Sequence, residues 1–383
     1  MGTLFTYGVF FKEFQTEFGW SRALISGASS LNYLFTGLCG ILAGRLNDKI
    51  GPRILITASG ILLGLGYMLM HSLQEPWQLY VVFGAVIGIG ISTTDIITLS
   101  TVARWFIKRR GMISGIVKLG TGSGQLAVPL IAAALISAYG WRNSFLIIGA
   151  AILVIVVAAA QILRRDPHGL GLLPDGGSRK NRTIASVSAE SGVTLRTALQ
   201  TRQFWIMCLA WFSVFFCLLT IPIHIVPHAR DLGLSPTTAA GILSTIGGIS
   251  MLGRFFMGTA SDSVGGKIPL IACFITLLCG LIWLQVAGKA WMLFLFAAIY
   301  GFAHGGFFTV VSPTVAELFG TCSHGVLFGI VIFSGTLGGF IGPLMAGRIF
   351  DVTGSYQIAF LVLTGVVGLG LALMTFLKPL QDI

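Results

Sequence analysis

Long apolar runs separated by short polar breaks dominate the chain, at 24–45, 53–71, 77–103, 111–138, 143–163, 204–227, 236–261, 268–287, 290–316, 325–347 and 357–377. Each is close to or above the roughly 20 residues a helix needs to cross the hydrocarbon of a bilayer. None shows the period-two alternation of barrel strands. A shorter apolar run, Met1 to Phe11, precedes Lys12 and a polar segment that reaches Arg22. It is too short to span alone and reads as the truncated end of a first helix. With it the pattern predicts twelve membrane-crossing helices. The one long polar stretch, Arg164 to Arg202, divides them six and six, so 1–163 and 203–383 are expected to be two helical halves joined by a linker at 164–202.

Composition agrees. Of 383 residues 55% are hydrophobic and only 10% charged, and the mean hydropathy is +0.90, whereas soluble domains carry about 25% charged residues. The chain is an all-α integral membrane protein. Its net charge of +11 does not signal nucleic acid, because in a membrane protein the position of each charge matters more than the sum. Of the 24 lysines and arginines, sixteen fall at one set of span ends and in the linker, six at the opposite ends, and Lys118 and Arg254 lie inside spans. Positive charge stays on the cytoplasmic side, so both termini and the linker are expected there. The six cysteines have no C-x-x-C spacing, so neither a metal site nor a disulfide framework is indicated.

Two short segments repeat. After the second span the chain reads Gly44-Arg45-Leu46-Asn47-Asp48-Lys49-Ile50-Gly51-Pro52-Arg53, and after the eighth it reads Gly258-Thr259-Ala260-Ser261-Asp262-Ser263-Val264-Gly265-Gly266-Lys267. Glycine, aspartate four later, glycine three later and then a basic residue recur at matching places of the two halves. The glycines permit tight turns. An aspartate at a helix end can cap a neighbour or pair with a base, so Asp48, Arg53, Asp262 and Lys267 are candidate gating residues at the cytoplasmic ends.

These repeats make the chain resemble the major facilitator superfamily. Narrower strings, Val9 to Phe14 with Gly19-Trp20-Ser21, Arg104-Trp105-Phe106 with Arg109-Arg110-Gly111, Gly140-Trp141-Arg142, and His224 to Ala229, are similar to the monocarboxylate transporter family and its bacterial relatives, including oxalate:formate antiporters. The resemblance implies two six-helix bundles around a central cavity, alternating access, carboxylate substrates moved with protons, and substrate binding by Arg254. It implies a multi-pass protein of a bacterial inner membrane. Two departures stand out: Phe5 occupies the position of a lysine in the animal members, and Ser250 that of an aspartate. The eleventh span also lacks the second cation expected of an oxalate exchanger.

The residues support such a site directly. Arg254 is the only charge in its run and lies eight residues before Asp262, about 12 Å inside the helix end. A cation at that depth is costly unless it faces a cavity, a partner or an anion. Its planar fork suits a carboxylate. Asp95 and Lys118 reach a similar depth in the fourth and fifth spans and are expected to meet as a proton-coupling pair or as a fixed ion pair. His224 and His304 are candidate proton carriers or hydrogen-bond partners of substrate, alongside the alternative of neutral packing. Phe302 is a candidate cavity-lining ring.

The function expected is proton-coupled symport of a small monocarboxylate of the lactate or pyruvate type, with Arg254, Lys118, His224, His304 and Phe302 as substrate ligands and no cofactor. The alternative is an anion exchanger in which Lys118 and Arg254 grip a dicarboxylate. The partners are the monocarboxylate anion, a proton and the lipid bilayer, with the protein a monomer. No nucleophile–base pair, metal cluster or cofactor motif suggests an enzyme.

Overall fold

The computed structural model describes residues 2–106, 110–165, 193–320 and 324–377, and these are overwhelmingly helical. Every apolar run finds a helix. The first span is α1 (Gly2–Phe5) followed by α2 (Tyr7–Phe18), and the next two are α3 (Arg22–Ile50) and α4 (Pro52–Leu69). The fourth is wound in pieces: α5 (Pro76–Leu79), a wider π-helical stretch over Tyr80–Ile87, α6 (Gly88–Ser92) and α7 (Thr94–Trp105). Spans five and six form α8 (Arg110–Ile162), broken at Gly140, whose φ of 75° favours glycine. After the short α9 (Leu195–Leu199), the seventh span is α10 (Arg202–Leu218) and α11 (Ile221–Asp231). The last five are α12 (Pro236–Val264), α13 (Lys267–Leu284), α14 (Ala290–Phe319), α15 (His324–Thr353) and α16 (Gln357–Thr375). Among the described residues, eight helical stretches are long and apolar enough to cross a membrane.

Local chemistry explains the boundaries. The segment after Lys12, expected to be a polar exit, stays helical to Phe18 and closes at Gly19 (φ 67°), whose N–H returns to the Gln15 carbonyl at 3.0 Å. The repeated turns share one backbone device. Gly51 (φ 90°) and Gly265 (φ 79°), the glycines three residues after the aspartate of each motif, both take the positive φ that lets one helix end and the next begin at once. Pro222 opens α11 in its first turn, so the seventh span bends at Leu219–Thr220.

The chain forms two compact units: residues 1–26 with 121–133 and 189–383, and residues 27–120 with 134–188. In the second unit α4, the fourth span and the later part of α8 pack through glycines. A Cβ on Gly64 would meet Leu153 at 2.6 Å, and one on Gly149 would meet Met68 at 2.6 Å. Close backbone approach of this kind is what holds membrane helices together, since lipid removes the hydrophobic incentive to associate. Asn32 donates to the Phe83 carbonyl at 2.7 Å, within the π-helical stretch. Arg142 caps the end of the third span through the His71 and Leu73 carbonyls at 2.7 and 2.8 Å. Trp77 and Trp291 are exposed, as expected of interfacial rings, but Trp141 is buried, with Phe145 edge-on and Arg142 over its face.

In the first unit α12 lies along α14, again through glycine: Gly253 faces the Phe302 carbonyl, and Gly301 and Gly305 face the backbones of Ile246 and Ser250. The glycines of 335–342, which suggest packing between halves, instead seat α15 on α10, where Gly338 and Gly342 face the Phe212 and Phe216 carbonyls. They serve the C-terminal half internally.

Candidate functional site

Arg254 lies on α12 and is only 8% exposed. The α8 stretch 121–133 runs beside it. Gly122 faces Met251 and the Arg254 guanidinium, and the Gln125 backbone rests on Gly247. The spacings i, i+3 on α8 and i, i+4, i+7 on α12 put these residues on one face of each helix. The same register lets Arg254 Nη2 donate to Gln125 Oε1 at 3.3 Å. Gln125 is itself 7% exposed.

From α14 comes His304, 2% exposed, whose Nδ1 has no hydrogen-bond partner among the described residues. Phe5 meets it edge-on with ring centroids 5.9 Å apart, and Tyr300 and Phe308 flank it. The Arg254 guanidinium is close enough to act on His304 electrostatically. A fixed cation, a buried amide and an imidazole nitrogen free to bond therefore converge within an apolar setting. That set can bind a small anion with a second polar atom: the guanidinium takes a carboxylate by two parallel N–H donors, and the imidazole takes a neighbouring oxygen.

Phe302 is half-buried and its ring turns toward Phe256, with centroids 6.4 Å apart, while its carbonyl lies on Gly253. Lys118 is half-buried in the second unit. The side chains of Asp48 and Asp95 lie outside the described residues. Arg53 donates to Gln161 at 2.9 Å, Lys267 to the Leu377 carbonyl at 2.5 Å, and Asp262 is exposed. The start of α13 is held by Glu317, whose carboxylate accepts from the Gly266 N–H at 2.6 Å.

His224 belongs to a second cluster at the opposite ends of the spans. Its Nε2 is 2.9 Å from the Pro343 carbonyl, which only accepts, so the proton sits on Nε2. Ser26 Oγ, 3.2 Å away, donates its own proton to the Arg22 carbonyl and shares that Nε2–H. Nδ1 is thereby left to accept from the Tyr356 hydroxyl at 2.9 Å. Both ring nitrogens are engaged. Beside it Arg22, 2% exposed, pairs with Asp231 at 2.5 Å and stacks on the Phe350 ring at 3.5 Å. Lys12 joins Asp231 at 2.8 Å, and Arg230 reaches Glu13 at 3.4 Å. Asp351 accepts from the N–H groups of Arg22 and Ala23, both at 2.8 Å, while Ser21 Oγ accepts from Leu24 N–H at 3.2 Å. Three donors left open at the start of α3 are thus satisfied, two of them by a carboxylate from α15.

Sequence reasoning missed Gln125 and this second cluster. A signal for Gln125 existed: it is the polar residue seven after Lys118, two turns along the same face. Nothing local in the sequence pairs Arg22 with Asp231 or Asp351.

The fold thus sets a buried cation, Arg254, within a helix long and apolar enough to cross a membrane. The Major Facilitator Superfamily profile matches residues 1–288 and 219–382. The chain is 29% identical to monocarboxylate transporter 13 of Rattus norvegicus over 366 residues, covering 94% of this chain and 81% of that one. It is 26% identical to monocarboxylate transporter 2 of Homo sapiens over 363 residues, covering 91% and 76%. In fold it is similar to a D-xylose-proton symporter, with a TM-score of 0.74 at 14% identity over 99% of this chain and 95% of that one. The chain belongs to the Major Facilitator Superfamily and is similar in sequence to its monocarboxylate transporters; it is a multi-pass membrane transporter, and its relatives are transporters rather than enzymes.

Proposed function

We propose that the protein carries a small monocarboxylate of the lactate or pyruvate type together with a proton, by alternating access, across a bacterial inner membrane with both termini in the cytoplasm. The observation that carries this reading is Arg254, nine-tenths buried about 12 Å inside its helix end and facing a neutral amide and an imidazole. A charged residue at the centre of a membrane helix costs about 2.5–3.5 kcal/mol on insertion scales. An anionic ligand offsets that cost. The names of the relatives, monocarboxylate transporters, support this substrate class.

In this reading the Arg254 fork takes the carboxylate and His304 Nδ1 meets the 2-oxygen of the acid. Loading the anion with a proton makes the complex electroneutral, so the loaded site closes at lower electrostatic cost than one holding an unpaired charge. Asp95 and Lys118 are the proposed proton-coupling pair, the halves 1–163 and 203–383 the proposed moving bodies, and the motif residues Asp48, Arg53, Asp262 and Lys267 the proposed cytoplasmic gate.

The test is uptake of radiolabelled lactate into proteoliposomes with an inward proton gradient and without one, at zero membrane potential. Gradient-driven accumulation that Arg254→Ala abolishes is the expected result. Rapid exchange against preloaded dicarboxylate with no gradient effect would replace symport by anion exchange. Absence of both lactate uptake and exchange would end the monocarboxylate reading.

A further inference from the structure

We infer that Gln125 holds one side of Arg254 while no substrate is bound: its amide oxygen accepts from the guanidinium where a substrate carboxylate binds, and the substrate loads by displacing it. This rests on the proposal that Arg254 binds a carboxylate. Three observations place Gln125 in that role. It is more than nine-tenths buried, and its Oε1 lies 3.3 Å from Arg254 Nη2. Its position is fixed by the backbone, because Gly247 packs against its carbonyl so closely that an added Cβ would approach to 2.4 Å. The residue one turn earlier on α8 is Gly122, which keeps the flank of the guanidinium open; a Cβ there would stand 3.1 Å from Arg254 Nη1.

The chemistry of an amide suits displacement. A 3.3 Å contact is long for an N–H···O bond, whose usual length is about 2.9–3.0 Å. A bond from guanidinium to carboxylate is shorter and about twice as strong as one between neutral groups, and it is bidentate. A carboxylate arriving at Arg254 therefore outcompetes Oε1. A glutamate at 125 would not yield in this way, since it would meet the guanidinium with a charge of its own. The amide also holds no proton to give up, so seating and release at 125 are independent of pH. Gln125 acts through Arg254 and is a positioning residue.

The experiment compares Gln125→Glu and Gln125→Leu with wild type in lactate uptake at pH 7.5. Gln125→Glu, whose carboxylate stays ionised beside the guanidinium, is expected to raise KM at least tenfold, whereas Gln125→Leu, which offers no acceptor to displace, is expected to change KM less than threefold. A Gln125→Glu carrier whose KM equals that of wild type, or a Gln125→Leu carrier perturbed as much as Gln125→Glu, overturns the inference. Should Gln125→Glu fail to accumulate, the infrared difference spectrum of the wild type on lactate addition decides: the side-chain amide C=O band, identified by its loss in Gln125→Leu, shifts if Oε1 is displaced and stays if it is not. Failure of wild-type lactate uptake itself would count against the substrate reading and not against the seat, which the same spectrum tests with other monocarboxylates.

Discussion

Two buried arginines, Arg22 and Arg254, are held in opposite ways. Arg22 has a carboxylate at 2.5 Å, an aromatic face at 3.5 Å and a backbone N–H that is itself fixed by Asp351. Arg254 gives its hydrogen bond to an amide at 3.3 Å, in the neighbourhood of an imidazole nitrogen that has no hydrogen-bond partner among the described residues. The first guanidinium is paired with a charge and packed between rings, so it serves as part of the structure. The second donates to a neutral amide, an acceptor that a carboxylate can displace. Burial alone therefore does not mark a binding residue; the kind of group it meets does.

The contrast breaks most sharply on Arg254→Ala. It is expected to lower lactate uptake at least about a hundredfold, in line with the several kcal/mol that a desolvated charge pair contributes to binding. Its melting temperature in detergent should fall less than that of Asp231→Asn, because the substitution removes the buried cation itself. A large drop in melting temperature would make Arg254 structural and erase the difference between the two arginines. Asp231→Asn should do the reverse. It leaves Arg22 buried without its carboxylate, and breaking such a pair costs about 3 kcal/mol. Thermal unfolding of the purified carrier reads that loss, and an unchanged curve would show that the ring stack alone holds Arg22.

Smaller effects sharpen the picture. Asp351→Asn keeps an oxygen near the N–H groups of Arg22 and Ala23 but loses its charge at a helix N-terminus, so about 1 kcal/mol should go. Denaturation of the variant beside Asp231→Asn ranks the two carboxylates. Lys12→Ala is expected to cost well under 1 kcal/mol, since its pair with Asp231 is partly exposed and screened. If it destabilises as much as Asp231→Asn, then Lys12 and not Arg22 is the main partner of that carboxylate.

How the residues were legible follows from the same physics. The spans were readable because each is a run of apolar residues, and the turns at Gly51 and Gly265 were readable because a positive φ selects glycine at both repeats. Arg254 was conspicuous as the one charge in its run. By contrast His224 and His304 look alike in sequence, each a single imidazole in an apolar helix, yet one has both nitrogens bonded and the other does not. Phe302 and Phe5 were equally ambiguous; the ring of the first turns to Phe256 and that of the second to His304.

What the sequence determined by itself was the helical character of the apolar runs, the repeat and the place of the central arginine in its run, because hydropathy, glycine spacing and an isolated charge in the sequence are local quantities. Which helix faces which was decided only by the tertiary structure. A membrane helix is apolar on all sides and carries little periodic signal to mark its buried face. Close approach at Gly122, Gly247 and Gly253, not hydrophobic pattern, sets the register that brings Gln125, 129 residues away in the chain, to Arg254.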